Sequence, residues 1–227
     1  MFGIMVALPA EARGIVARRL RVGDTYRLSD KAMLIVTGMG ASAIPIIRRT
    51  AELGVFSTLS SLGTAVGLSP TLTAGTICIP DEVVFGEQTV RCHPALQYDF
   101  VDALKAQHGI DQRCLTHTPT VLTCLQEKQA LHQKSAAVVA DMESFLIGQE
   151  AMRYQLQFLA IRVIVDSLHV HIPQPILQCC VPSLALSQLL WTICRQPRLL
   201  APLLTLAKHF QQAKKVLNCV AQVDILN

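Results

Sequence analysis

Two short segments put acids at the carboxyl ends of strands. Ala140-Asp141-Met142-Glu143-Ser144 reads as a strand-to-helix junction, and Arg162-Val163-Ile164-Val165-Asp166 ends a very apolar strand on a carboxylate. Open α/β sheets bind ligands in the crevice outside the carboxyl ends of their strands, so acids at those ends face a ligand. A third segment, Ser60-Ser61-Leu62-Gly63-Thr64-Ala65-Val66-Gly67, passes from strand to loop through small and hydroxylated residues. Its backbone N–H groups and the Thr64 hydroxyl suit an oxyanion or a ribose. A fourth, Gly38-Met39-Gly40-Ala41-Ser42-Ala43, has the G-x-G-x-x-A form of a phosphate-approaching turn. The acid that a dinucleotide site carries about twenty residues further on is missing, Glu52 coming too early, so the segment is read as a tight turn packing strand against helix. Metal chemistry has less to draw on. The eight cysteines, at 78, 92, 114, 124, 179, 180, 194 and 219, show no two-residue gap, and His169-Val170-His171 has no third ligand nearby. The thiols are read as small buried hydrophobes of a reducing compartment.

Positioning such groups takes strands that end along one edge of a sheet. With 227 residues, 51% hydrophobic and 16% charged, the chain is too apolar to stay disordered, and a chain of this size buries about 70% of its unfolded surface in one body. Short apolar runs alternate with helical segments, the pattern of βα units. Strands are expected at Phe2–Leu8, Ala32–Thr37, Thr58–Leu62, Thr76–Ile79, Pro119–Thr123, Ala136–Ala140 and Gln157–Val165, and helices at Ala10–Leu20, Ser42–Leu53, Pro94–Ala106, Leu125–Gln133, Glu143–Tyr154, Ser183–Ile193 and Pro197–Leu217. Runs such as Ala136-Ala137-Val138-Val139-Ala140 lack alternation and suit strands covered on both faces. The expectation is one α/β domain over residues 1–227: a three-layer α/β/α body with a mixed, mainly parallel central sheet.

Charge and composition exclude several classes. A net charge of +4 and 5% aromatics are too little for a nucleic-acid binder. No apolar run reaches eighteen residues, and Phe2–Leu8 is too short and lacks the basic start of a leader, so a cytoplasmic protein is expected. Between Ser167 and Val223 there is no acid, whereas Arg195, Arg198, Lys208, Lys214 and Lys215 all fall there. Leu199, Leu200, Leu203, Leu204, Leu206, Ala207, Phe210, Ala213 and Leu217 form a helical stripe in that extension, residues 182–217. It reads either as a helix docked on the core or, with Trp191, as a surface lying on an anionic membrane.

In order along the chain, Gly3-Ile4-Met5-Val6-Ala7-Leu8-Pro9-Ala10-Glu11, Thr37-Gly38-Met39-Gly40, Gly63-Thr64-Ala65-Val66-Gly67-Leu68-Ser69-Pro70, Ala74-Gly75-Thr76-Ile77, Asp141-Met142-Glu143-Ser144 and Arg162 through Asp166 resemble the nucleoside phosphorylase and nucleosidase superfamily, in the branch of the methylthioadenosine/S-adenosylhomocysteine nucleosidases. Leu8-Pro9-Ala10-Glu11-Ala12-Arg13, Ala140 through Phe145 and Arg195-Gln196-Pro197-Arg198-Leu199-Leu200 resemble more closely the hopanoid-associated phosphorylases, thought to remove adenine from adenosylhopane. The resemblance implies cleavage of an N-glycosidic bond. Such a step builds positive charge on the ribose and electron density on the departing purine, which needs a proton near N7. Asp166 matches the family's acid for that task, its pKa raised by an apolar strand end. Glu143 matches the glutamate that grips the ribose hydroxyls, and Met142 packs on the sugar face. Glu11 matches the residue that activates water in the nucleosidases. Phosphate as co-substrate calls for positive charge and hydroxyls, for which Arg13 and Thr64 beside Gly63 are the candidates. The resemblance further implies no cofactor or metal, a small nucleoside or nucleoside-lipid substrate, peripheral membrane contact through the C-terminal helices and a homodimer. A soluble methylthioadenosine nucleosidase and a non-catalytic ligand-binding relative are the rival readings. Two departures stand out. Val66 occupies a position usually glycine, where a β-branched residue disfavours positive φ, so an altered loop near Thr64 is expected. Ser61 and Leu62, rather than an arginine, precede Gly63, which tells against phosphate.

Overall fold

The computed structural model describes residues 1–168 and 197–223. The expected helix at Ser183–Ile193, Trp191 and the His169/His171 pair lie outside them. Among the described residues eleven strands form one mixed sheet: β1 Phe2–Val6, β2 Thr25–Arg27, β3 Ala32–Val36, β4 Thr58–Gly67, β5 Ile77–Cys78, β6 Glu82–Phe85, β7 Gln88–Arg91, β8 Ile110–Asp111, β9 Leu115–His117, β10 Val139–Asp141 and β11 Gln157–Asp166. The helices are α1 Pro9–Ile15, α2 Ile44–Glu52, α3 Pro94–Leu104, α4 Leu125–Ser135, α5 Ser144–Arg153 and, after a 3₁₀ turn at Pro197–Leu199, α6 Leu200–Ala221. The sheet runs β2-β3-β1-β4-β10-β9-β6-β7, with β11 and then β5 and β8 branching from β4. Its middle is parallel: β1 pairs β3 and β4, and β11 pairs β4 from Gln157↔Thr58 onward.

The central strands owe their place to burial on both faces. Ile4, Leu34, Leu59, Leu159, Ile161 and Val163 are at most 1% exposed, the condition under which continuous apolar runs replace alternation. β4 explains the branching. Its first half lies between β1 and β11, and Val66 and Gly67 pair antiparallel with Ala140 and Val139 of β10. Gly63 through Gly67 are therefore strand, not the loop expected from their small residues. Val66 is extended, since the positive-φ residues other than glycine among those described are Ala136 and Gln155. The valine causes none of the strain expected of it.

Other boundaries moved for local reasons. The expected strand at Pro119–Thr123 is irregular chain between β9 and α4, where proline removes a ladder donor. Ala136, expected to open a strand, takes a left-handed conformation (φ 57°) as the C-cap of α4, and the strand starts at Val139. β2, the β6–β7 hairpin, β8 and β9 were not expected; they are strands of two to four residues, too short to show a period. In α6 the C-terminal half docks: Ala213, Val216, Leu217 and Val220 are buried, and the backbone of Lys214 sits against Gly14 of α1 so closely that a Cβ there would lie 3.1 Å from its carbonyl oxygen. The N-terminal half stays open, with Leu200 and Leu204 45% and 60% exposed. No helix among the described residues is long and apolar enough to cross a membrane.

Candidate active site

The parallel strands β1, β3, β4 and β11 end on one side of the sheet, and the segments leaving them, with the end of β10, close on a cavity of about 140 Å³. Glu11, Thr64, Met142 and Glu143 line it, together with apolar walls from Leu8, Met39, Val66, Val121, Leu122 and Val165. A larger groove of about 600 Å³ beside Tyr98 and Asp102 holds none of the residues the motifs single out.

Glu11 is 2% exposed although it lies in the first turn of α1. Its Oε2 accepts the Leu8 N–H at 3.0 Å, and its Oε1 accepts both the N–H and the hydroxyl of Thr64, at 2.8 and 2.7 Å. The glutamate thus caps its own helix and ties α1 to β4. Gly63 makes this approach practicable: a Cβ there would stand 3.0 Å from Glu11 Oε1 and collide with the Arg162 guanidinium. Arg13, in the same helix, is exposed and does not line the cavity.

Glu143 is held from across the sheet. Its Oε1 accepts the N–H of Gly40 at 2.8 Å, and Gly38 and Gly40 both take positive φ to present that turn. Met142 lies over the same turn, its Cε 3.4 Å from where a Cβ on Gly40 would be. The G-x-G segment therefore acts as a tight turn whose N–H orients an acid. Burial first, and then the charge of Asp141, push Glu143 from an ordinary 4.5 to about 7, against the pull of Arg162 and the Gly40 N–H. A carboxyl whose pKa is raised on folding contributes stability that is fully present below about pH 4.5 and is lost as the pH rises through about 7. We expect the melting temperature of the wild type to fall relative to Glu143→Gln across that window, measured by thermal scans from pH 4.5 to 8; parallel curves would show that Glu143 ionises as in the unfolded chain.

Beneath the cavity floor lies a network whose members fall in the sequence motifs but whose pairing the motifs did not announce. Arg162, 1% exposed, pairs with Asp141 Oδ2 at 2.5 Å, donates through Nε to Ser144 Oγ at 2.9 Å and bonds Ser61 Oγ. Ser144 in turn donates to Asp141 Oδ2 at 2.7 Å. These groups join β4, β10, α5 and β11 at the level from which Glu143 projects. The one advance signal was Arg162 itself, a charge inside an otherwise apolar strand.

Asp166 is also buried, at 1% exposed, just beyond a bulge at Val165 where the β11–β4 register shifts. The cavity wall takes in Val165 but not Asp166, whose Oδ1 accepts the ammonium of Lys128 at 2.8 Å. Its Oδ2 is buried with no hydrogen-bond partner among the described residues. Burial raises the pKa of this carboxyl, and Lys128 and then His209 oppose the rise. Among the thiols, Cys78 and Cys92 are buried, and desolvation pushes Cys92 up to about 12. No group of three or more metal-ligating side chains occurs among the described residues.

The molecule is thus a mixed sheet with flanking helices and, at its strand ends, a cavity of carboxylates, a hydroxyl and apolar wall. The chain aligns over 97% of its length with 97% of a Helicobacter pylori 5'-methylthioadenosine/S-adenosylhomocysteine nucleosidase mutant holding 5'-methylthioadenosine in its active site (TM-score 0.67, 10% identity). It aligns over 96% with 96% of a Borrelia burgdorferi protein described as such a nucleosidase and bound to adenine (TM-score 0.70, 11% identity), and over 97% with 96% of the Helicobacter pylori futalosine hydrolase (TM-score 0.68, 12% identity). No curated protein sequence matches the chain. Residues 2–176 match the phosphorylase superfamily, and the chain belongs to it, a superfamily of glycosyl-bond-cleaving enzymes.

Proposed function

We propose that the protein releases adenine from a 5'-substituted adenosine by cleaving its N-glycosidic bond, with water as the acceptor. The observation that carries this reading is the convergence of Glu11, Thr64, Met142 and Glu143 on one otherwise apolar cavity. The C1'–N9 bond breaks with its electron pair passing to the purine, and Asp166 supplies the proton that N7 takes up. Glu143 holds the ribose hydroxyls and offsets the positive charge growing on the sugar. Glu11 takes a proton from the attacking water, whose oxygen bonds to C1'. No arginine or lysine lines the cavity among the described residues, and Arg13 lies outside it, which favours water over phosphate. No step calls for a cofactor.

For the 5'-substituent, the likeness of the sequence motifs to the hopanoid-associated phosphorylases favours a bulky lipid, adenosylhopane, over methylthioadenosine. The exposed Leu200 and Leu204, close along α6 to the exposed Lys208 and Lys215, would meet the membrane that holds such a substrate. Adenine release is measured from adenosines of increasing apolar 5'-chain length, with and without phosphate. Release that grows with chain length and ignores phosphate is the expected result. A rate that peaks at the methylthio group identifies an ordinary methylthioadenosine nucleosidase, phosphate dependence identifies a phosphorylase, and binding without release identifies a ligand-binding relative.

A further inference from the structure

Nothing in the charge pattern of the chain marks Lys128, yet it is fully buried. Its Nζ donates to Asp166 Oδ1 at 2.8 Å and to the backbone carbonyl of Ser167 at 2.9 Å. Removing an ammonium from water costs several kcal/mol, which only good pairing geometry offsets. Here the pairing spans the peptide unit after the acid: one bond grips the carboxylate, the other the main chain beyond it. The carboxylate is thereby fixed with Oδ1 occupied and Oδ2 without a hydrogen-bond partner among the described residues. The lysine also comes from a telling place, since α4 begins where the cavity-lining segment of Thr118, Thr120, Val121 and Leu122 ends.

We propose that Lys128 is a positioning residue for the proton donor: it clamps Asp166 through Oδ1 and the Ser167 carbonyl, leaves Oδ2 to face the departing base, and sets the pH above which the carboxyl no longer carries a proton. This rests on the reading of Asp166 as the acid. The sign comes from the groups around it. Burial favours the protonated carboxyl, and Lys128 from α4 opposes it, as does His209 from α6, whose Nδ1 lies 3.1 Å from the Val165 carbonyl. β4 contributes Val66 opposite Asp166, which carries no charge. Taking away the lysine charge lets Asp166 keep its proton to higher pH, so the alkaline limb of the rate profile moves up.

The test is the pH profile of kcat/KM for adenine release from 5'-methylthioadenosine by the wild type, Lys128→Met, Lys128→Gln and Asp166→Asn. The limb is expected to move up by at least about one pH unit in both lysine variants, a tenfold change in the proton equilibrium, while Asp166→Asn shows almost no release. A limb that stays in place or moves down in a variant whose circular dichroism is native overturns the clamp. An Asp166→Asn variant that retains release fails the acid reading itself, a separate outcome. Lys128→Gln keeps a donor in position should Lys128→Met not fold. If neither folds, the carboxyl ¹³C resonance of Asp166 in the wild type, assigned with Asp166→Asn, is titrated. A midpoint on the alkaline limb supports the proposal, and an ionisation unrelated to that limb overturns it.

Discussion

Replacing Asp166 with asparagine is expected to lower adenine release by roughly 10²- to 10⁴-fold, the range that a positioned general acid contributes. Without a proton at N7 the purine departs as an anion, and asparagine has none to give. The substitution is close to isosteric: an amide oxygen still accepts from Lys128 Nζ, and the bulge at Val165 is untouched. The ion pair is lost, however, and a buried pair broken by removing one partner costs about 3–5 kcal/mol, less if Lys128 sheds its proton. Activity and stability therefore need separate readouts. Single-turnover adenine release gives the first and thermal unfolding the second. In Asp166→Asn combined with Lys128→Met, no buried charge is left alone, so melting temperature should recover toward the wild type while release stays low. Recovery of both would place the proton donor elsewhere.

Arg162→Met should lower stability by roughly 3–5 kcal/mol. It strands the Asp141 carboxylate, 5% exposed, and leaves Ser144 Oγ and Ser61 Oγ without the guanidinium that joins them. At about 2–4 °C per kcal/mol for a chain of this size, the melting temperature falls by about 6–20 °C. The change also reaches Glu143, because Arg162 is the charge that restrains the rise of its pKa. Its loss moves ionisation of Glu143 above about 7, so the pH dependence of stability should shift upward along with the lower melting temperature. Adding Asp141→Asn acts on both effects: it returns part of the stability by removing the orphaned charge and, by taking away a charge that raises the Glu143 pKa, brings that ionisation back down. A melting temperature within a degree or two of the wild type for Arg162→Met alone would mean that the network contributes little.

Much of this architecture was legible in the residues. Apolar runs without alternation announced doubly covered strands, and β1, β3, β4 and β11 all fall where those runs are. Of the residues singled out, Glu11, Thr64, Met142 and Glu143 line one cavity, while Asp166 at the end of β11 and Arg13 do not. Local chemistry sufficed for the strands because continuous apolar runs suit burial on both faces, whereas Arg162 inside β11 and Asp166 at its end find buried partners rather than the crevice. The short strands β2 and β6 to β9 were less legible, since a run of two to four residues carries no period and forms only because a neighbour offers its edge.

Chain spacing left other matters open. Gly63 through Gly67 became strand because β11 and β10 pair with this stretch of β4, and that pairing outweighed the loop tendency of small residues. Glycine at 63 is required by the space that Arg162 and Glu11 need, with no unusual backbone angle involved. Arg13 stands two residues from Glu11 yet points away from the cavity, because positions i and i+2 of a helix do not share a face. The hydrogen bond from Gly40 to Glu143 spans 103 residues, and that from Lys128 to Asp166 spans 38. Neither had a local signature, for burial and partnership are properties of the packed chain. A lysine in a polar helix reads as solvated until the fold removes the solvent.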